Sequence, residues 1–90
     1  MLEVKFETRA SRFLVRLPAK QFGQIDRKIA ALADDPHPPD CKKLAGFIFW
    51  RVDIGEYRII YLPIGSVLHI PIIGKRNDGE IFRQLKRLAR

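Results

Sequence analysis

Between Leu2 and Phe6 the chain alternates apolar Leu2, Val4 and Phe6 with charged Glu3 and Lys5, the period-two pattern of a strand with one buried face. The period then changes. Ala10, Phe13, Leu14 and Leu17 fall at i, i+3, i+4 and i+7, one face of a short helix that Thr8 is placed to cap. Pro18 stops this helix and suits the first turn of the next. From Gln21 to Ala33, Phe22, Ile25, Ile29 and Leu32 repeat at helical spacing, with Arg27 and Lys28 directed elsewhere. The two helices read as a hairpin packed on a sheet.

Asp34 to Asp40 contains three prolines, which remove donors and push their predecessors towards extended geometry, so this segment is a loop. Strands follow. Phe47 to Ile54 sets Ile48, Trp50, Val52 and Ile54 on one face, with Phe49, Arg51 and Asp53 on the other. Gly55-Glu56 makes a tight turn, and Tyr57 to Leu62 returns with Tyr57, Ile59 and Tyr61 alternating against Arg58, Ile60 and Leu62. Pro63-Ile64-Gly65-Ser66 is the next turn, and Val67 to Ile73 the third strand of a meander, ended by Gly74. Pro71 cannot donate to a ladder, so it needs an edge or a bulge. Asn77 or Asp78 caps a last helix, with Glu80 placed to complete a capping box if Asn77 is the cap. That helix carries an apolar stripe of Ile81, Phe82, Leu85 and Leu88 and a basic remainder of Arg83, Lys86, Arg87 and Arg90. Strands clustered after helices predict an α+β fold with a mainly antiparallel sheet. The first strand must cross to join the meander, and its partner is left open.

Ninety residues make one small domain, spanning 1–90. A hydrophobic share of 47% beside 30% charged residues excludes a wholly disordered chain. With Cys41 alone, neither an internal disulfide nor a cysteine-built zinc site can form. No apolar run reaches the roughly 20 residues that cross a bilayer, and the first residues are no signal peptide. The expectation is a cytoplasmic protein that does not engage a membrane.

Charge sharpens the picture. Seventeen Lys and Arg against ten Asp and Glu leave +7, unevenly spread. Residues 1–40 carry seven basic and six acidic side chains, net +1; residues 41–90 carry ten and four, net +6. Such an imbalance favours a polyanionic partner, because released counterions add affinity whatever the sequence. A merely soluble basic surface, an acidic protein partner or an anionic membrane fits the same arithmetic.

Several chemistries are missing. There is no Gly-rich phosphate loop, HExxH, CxxC or serine-elbow motif, and His37 and His69 stand apart, so neither a metal nor a cofactor is expected. What remains is cations on rigid elements. Arg58 lies inside an apolar and aromatic strand, Arg51 on the strand before it, and Lys75 and Arg76 directly after the third. If register brings them to one side of the sheet, they form a preorganised patch suited to a phosphoryl transition state. The structural alternative is that Arg58 pairs with Glu56 or Asp53, and that Lys75-Arg76 is a solvated turn.

The run Trp50-Arg51-Val52-Asp53-Ile54-Gly55-Glu56-Tyr57-Arg58-Ile59-Ile60-Tyr61 resembles the central signature of the RelE/ParE superfamily of bacterial and archaeal toxins. Lys43-Leu44-Ala45-Gly46 before it and Ile73-Gly74-Lys75-Arg76 after it are similar to the segments flanking that signature, and Leu17-Pro18 and Asp35-Pro36 also fit. The resemblance implies the toxin of a type II toxin–antitoxin pair, neutralised by a RelB-like antitoxin. In the RelE branch it further implies metal-independent cleavage of mRNA on the ribosome, in which the ribose 2′-OH attacks the adjacent phosphate. By position Arg58, Arg76 and Arg51 take the catalytic basic roles, with Lys75, Arg83, Lys86 and Phe82 as nucleic-acid contacts. Two positions depart from the pattern. Asp53 stands where a second basic residue is frequent, as a general base or as the ion-pair partner of Arg51. Phe82 stands where a tyrosine is frequent, and it can stack on a base but cannot move a proton. The ParE branch, which inhibits DNA gyrase without the nuclease set, is therefore the alternative implied, and a non-toxic nucleic-acid-binding protein is a third.

Overall fold

The computed structural model describes residues 1–77 and 79–88. The elements run β1 (Glu3–Phe6), α1 (Thr8–Val15), α2 (Ala19–Asp34), β2 (Lys42–Lys43), β3 (Trp50–Ile54), β4 (Tyr57–Ile64), β5 (Val67–Lys75) and α3 (Gly79–Leu88). The fold is α+β, and five strands form one sheet in the order β1-β5-β4-β3-β2. The first strand crosses to β5 and pairs with it in parallel, Glu3 to Phe6 against Val67 to Ile70. All other pairings are antiparallel. No helix among the described residues is long and apolar enough to cross a membrane.

Each face of the sheet has its own cover. Val52, Ile59, Tyr61, Leu68, Ile70 and Ile73 are buried beneath the α1–α2 hairpin, which contributes Ala10, Leu14, Ile25, Ile29 and Leu32. On the opposite face Ile60 and Ile72 pack against Ile81 and Leu85 of α3, with Leu44, Phe47 and Phe49 at the margin. Ile70 and Ile72, two residues apart on one strand, serve different cores for a specific reason. The β4–β5 register jumps from Ile60↔Ile72 to Leu62↔His69, setting Ile70 and Pro71 against Tyr61 alone. Pro71, which has no N–H, is accommodated by this bulge, and the extra residue reverses which face each later side chain meets.

The turns follow from glycine. Gly55 and Gly65 adopt positive φ of 59° and 57° at the two hairpin turns, a region L side chains avoid. Gly74 has a different task. It does not end β5, which runs through Lys75; a Cβ placed on it would lie 2.8 Å from Ile81 Cγ1. Its bare backbone is what lets α3 sit closely on the strand.

Other expectations are corrected. Thr8 is the first helical residue and not the cap: Glu7 is still extended, its N–H donates to Ile70 O at 3.0 Å, and it forms the N-cap without a side-chain bond. Pro18 is likewise the N-cap of α2, one position before the first turn. Phe47 to Phe49 are not strand. Leu44 N–H donates to Phe49 O at 3.0 Å and Phe47 N–H to Leu44 O at 3.2 Å, a turn that delivers both phenylalanines to the α3 core and leaves Ile48 exposed. The hairpin turn shortens to Gly65-Ser66 because Pro63 and Ile64 belong to β4. The α3 stripe narrows to Ile81 and Leu85, with Phe82 53% and Leu88 40% exposed. Capping by Asp78 and the charge of Arg90 lie outside the described residues.

Candidate functional site

Residues of β3 and β4 that face α3 include Arg51, Asp53 and Arg58, set there by the two-residue alternation that buries Val52 and Ile59 on the other side. Asp53 and Arg58 are direct cross-strand partners. Arg58 Nε donates to Asp53 Oδ1 at 2.8 Å and Nη2 to Oδ2 at 3.3 Å, while Arg51 Nη1 lies 3.6 Å from Oδ2. The hydrogen bond from Arg58 is the main cause that holds the Asp53 carboxyl below its ordinary pKa, aided by the charges of Arg58, Arg51 and Arg76 against partial burial. A carboxylate stabilised in this way is a weak base. Of the two roles open to Asp53, the geometry favours ion pairing, chiefly with Arg58 rather than Arg51.

On its other side Arg58 faces Gly74 across the β4–β5 ladder, so no side chain stands between it and α3. Arg76 follows β5, and its backbone N–H donates to Glu56 O at 2.9 Å, pinning it beside the β3–β4 turn. Arg58, Arg76, Asn77, Ile60, Leu85 and Phe82 share one open cleft of about 320 Å³. Phe82 stands edge-on to Phe47, ring centroids 6.5 Å apart, and Lys86 Nζ lies 4.9 Å from its ring centre. The site therefore combines guanidinium groups on a rigid strand and turn with an exposed aromatic ring carrying a second cation. Arginine keeps its proton at neutral pH, so this arrangement can hold a phosphate and stabilise added negative charge on it.

The expected site residues do not all converge. Arg58, Arg76 and Phe82 line the cleft, Arg51 joins through Asp53, and Lys86 through Phe82. Lys75 pairs in register with Tyr57, whose side chain packs towards the helical hairpin, so Lys75 is placed on the opposite face. Arg83 does not line the cleft; its Nη2 lies 2.9 Å from Glu80 Oε2. Sequence reasoning missed the part of Gly74, taken only as a strand end, although its place opposite Arg58 follows once the meander register is known. It also passed over Arg9, Arg12 and Arg16, whose i, i+3, i+7 spacing was the available signal. Among the described residues, no three His, Cys, Asp or Glu side chains come together as ligands for a metal ion.

Solved structures decide the fold. The chain aligns with free E. coli toxin RelE in a mutant form at a TM-score of 0.81 and 20% identity, covering 97% of this chain and 96% of that one. The chain has the fold of the RelE toxins. An archaeal RelE–RelB complex from Pyrococcus horikoshii OT3 matches this RelE fold at 0.74, with 25% identity over 84% of this chain and 96% of that one. A YoeB/ParE toxin from Agrobacterium tumefaciens matches at 0.68, with 16% identity over 83% and 99%. No protein-family profile matches the chain, and no curated protein matches it in sequence.

Proposed function

We propose that this chain is the toxin of a type II toxin–antitoxin module and an endoribonuclease that cuts mRNA on the ribosome. The observation that carries the reading is the cleft in which Arg58 and Arg76 meet beside the exposed ring of Phe82. In the reaction the ribose 2′-oxygen forms a bond to phosphorus, and the bond from phosphorus to the 5′-oxygen breaks. The products are a 2′,3′-cyclic phosphate and a 5′-OH, the proton passing overall from the 2′-OH to the leaving oxygen. Arg58 and Arg76 hold the phosphate and stabilise its growing charge, with Arg51 reinforcing the positive field. One such preorganised donor typically contributes about 10²–10³ in rate. Phe82 and Lys86 offer a ring and a charge to a flanking nucleotide, and Lys75 and Arg83 add field from outside the cleft. General acid–base groups, typically worth about 10²–10⁴ each, are poorly represented, so catalysis rests on charge and positioning and is slow.

The expected partners are a RelB-like antitoxin, the ribosome and mRNA. Net +6 over residues 41–90 suits an acidic antitoxin segment. The Pyrococcus horikoshii neighbour is itself a complex of RelE with RelB.

A second reading has two observations in its favour. Asp53 already occupies two prongs of the Arg58 guanidinium, and Phe82 carries no hydroxyl, as suits a ParE-like gyrase inhibitor that performs no phosphate chemistry. Induction in growing cells separates the two. The nuclease stops translation and leaves cut mRNA with replication intact, whereas gyrase inhibition leaves mRNA whole and breaks DNA. Growth unaffected by induction would exclude both.

A further inference from the structure

A larger cavity, about 420 Å³, opens on the other flank of α3. It exists because β1 pairs with β5 only as far as Ile70, so the edge of β5 beyond that point is flanked by α1 and α3 instead of a strand. Phe13 and Ile73 provide apolar lining, Arg9 and Arg12 come from α1, Arg16 from its C-cap, and Gln84 from α3. Phe82 and Gln84 are two residues apart on a helix, about 200° around its axis, so the Arg58 cleft and this one are distinct.

Among the described residues, the three arginines carry their charge without an ion-pair partner. Lys28, Arg51, Arg58 and Arg83 each have a carboxylate within ion-pair distance, but Arg9, Arg12 and Arg16 have none among the described residues. Arg9 and Arg12 on this eight-residue helix and Arg16 at its C-cap stack like charges along one side, and the first turn carries no acid. Such repulsion opposes helix formation, and an anion in the cleft would relieve it. Gln84 adds an independent sign of an absent ligand: its Oε1 is buried without a donor among the described residues, while Nε2 approaches Glu80 Oε1 at 3.4 Å.

We propose that the cleft between α1, β5 and α3 is a second RNA site, which grips backbone phosphates away from the point of cleavage. The arginines take phosphate oxygens, and Gln84, once turned into the cleft, accepts from a ribose hydroxyl. The site anchors the strand and takes no part in the chemistry. The inference rests on the reading that RNA is the substrate, and its test does not depend on cleavage.

The test measures binding of a fluorescein-labelled 12-nucleotide single-stranded RNA to the full chain between 50 and 200 mM NaCl, by anisotropy. The unmodified chain is compared with a variant combining Arg9→Ala, Arg12→Ala and Arg16→Ala, and with Arg58→Ala. Removing one arginine–phosphate pairing lowers the slope of log affinity against log salt by about 0.7 for a single strand, so the triple variant should lose about 2 from its slope. Its affinity at 50 mM should fall by about tenfold or more, with the rate of mRNA cleavage on saturating ribosomes, measured separately, unchanged. Arg58→Ala should lose ribosome-dependent cleavage while keeping most of the slope. As a check independent of substitution, amide NMR signals of residues 8–16 in the unmodified chain should move on addition of the same RNA. Unchanged affinity and slope in the triple variant, still α1 signals, or no RNA binding by the unmodified chain would each overturn the inference. Arginine-dependent binding in a chain that does not cleave mRNA on ribosomes would keep it and remove the nuclease reading.

Discussion

Arg58 and Asp53 are joined side-on across β3 and β4, through bonds of 2.8 Å and 3.3 Å. Two of the five guanidinium N–H donors are committed, which leaves three for a phosphate and fixes the plane in which they point. The carboxylate thus orients the arginine and opposes its charge. Both side chains are partly exposed, 25% and 30%, so solvent screens the pair and its effect on stability is small. Its effect on a phosphate is the larger one.

Asp53→Asn should separate these two actions. Removing one negative charge raises the field at the cleft, so RNA should bind about two- to fivefold tighter at low salt. Arg58 loses its orienting partner, so the cleavage rate at saturating RNA should fall by less than about tenfold. Binding isotherms beside single-turnover rates give the answer. Weaker binding with an unchanged rate would mean that the pair does neither.

The same pair sets a pH window. Asp53 has a folded-state pKa below its unfolded value, so its stabilising contribution is complete above the unfolded value of about 3.9. That contribution is lost as pH falls through the lowered folded value. Between pH 5 and 8 the aspartate stays ionised, and kcat/KM should show no inflection that Asp53→Asn abolishes. An acidic limb near pH 6 that disappears in the variant would identify Asp53 as a general base, contrary to this account.

Phe82 is 53% exposed at the rim of the cleft, so a hydroxyl added to its ring meets water and costs the fold little. Phe82→Tyr should raise the cleavage rate, by up to about 10²-fold if the new hydroxyl takes part in proton transfer. Phe82→Ala should weaken RNA binding without unfolding the protein. Equal rates for the Phe82→Tyr variant and the unmodified chain would show that proton transfer at this position does not limit cleavage.

The seating of α3 rests on two small facts. Leu85 is 2% exposed, and Leu85→Ala should cost about 2–5 kcal/mol. Gly74→Ala places a methyl group against Ile81, 2.8 Å from Cγ1 and 3.0 Å from Cδ1, and should cost about 1–3 kcal/mol. Denaturant unfolding measures both. A neutral Leu85→Ala would mean that α3 is not docked in solution.

The helical hairpin and the meander were legible because Ile25, Ile29 and Leu32 repeat at helical spacing, and Val52, Ile59 and Tyr61 alternate at strand spacing. β2 was not, since two exposed lysines carry no periodicity. Phe47 to Phe49 misled because aromatic residues delivered by a turn to a core look like strand residues. Parity alone put Arg58 and Arg51 on the sheet face away from Val52 and Ile59, as the register has them. Lys75 was not, because adjacency to Arg76 in sequence puts the two on opposite sides of a strand, and only the pairing with Tyr57 reveals which. Arg9, Arg12 and Arg16 were hidden by the apolar stripe they flank.

Ribosome-dependent cleavage of a defined mRNA, with analysis of the ends, tests the central claim most directly. The unmodified chain should leave 2′,3′-cyclic phosphate and 5′-OH ends. Arg58→Ala should lose about 10²–10³ in rate while keeping its fold and its binding to the antitoxin. Full activity in Arg58→Ala, or ends bearing a 3′-OH, would contradict the account.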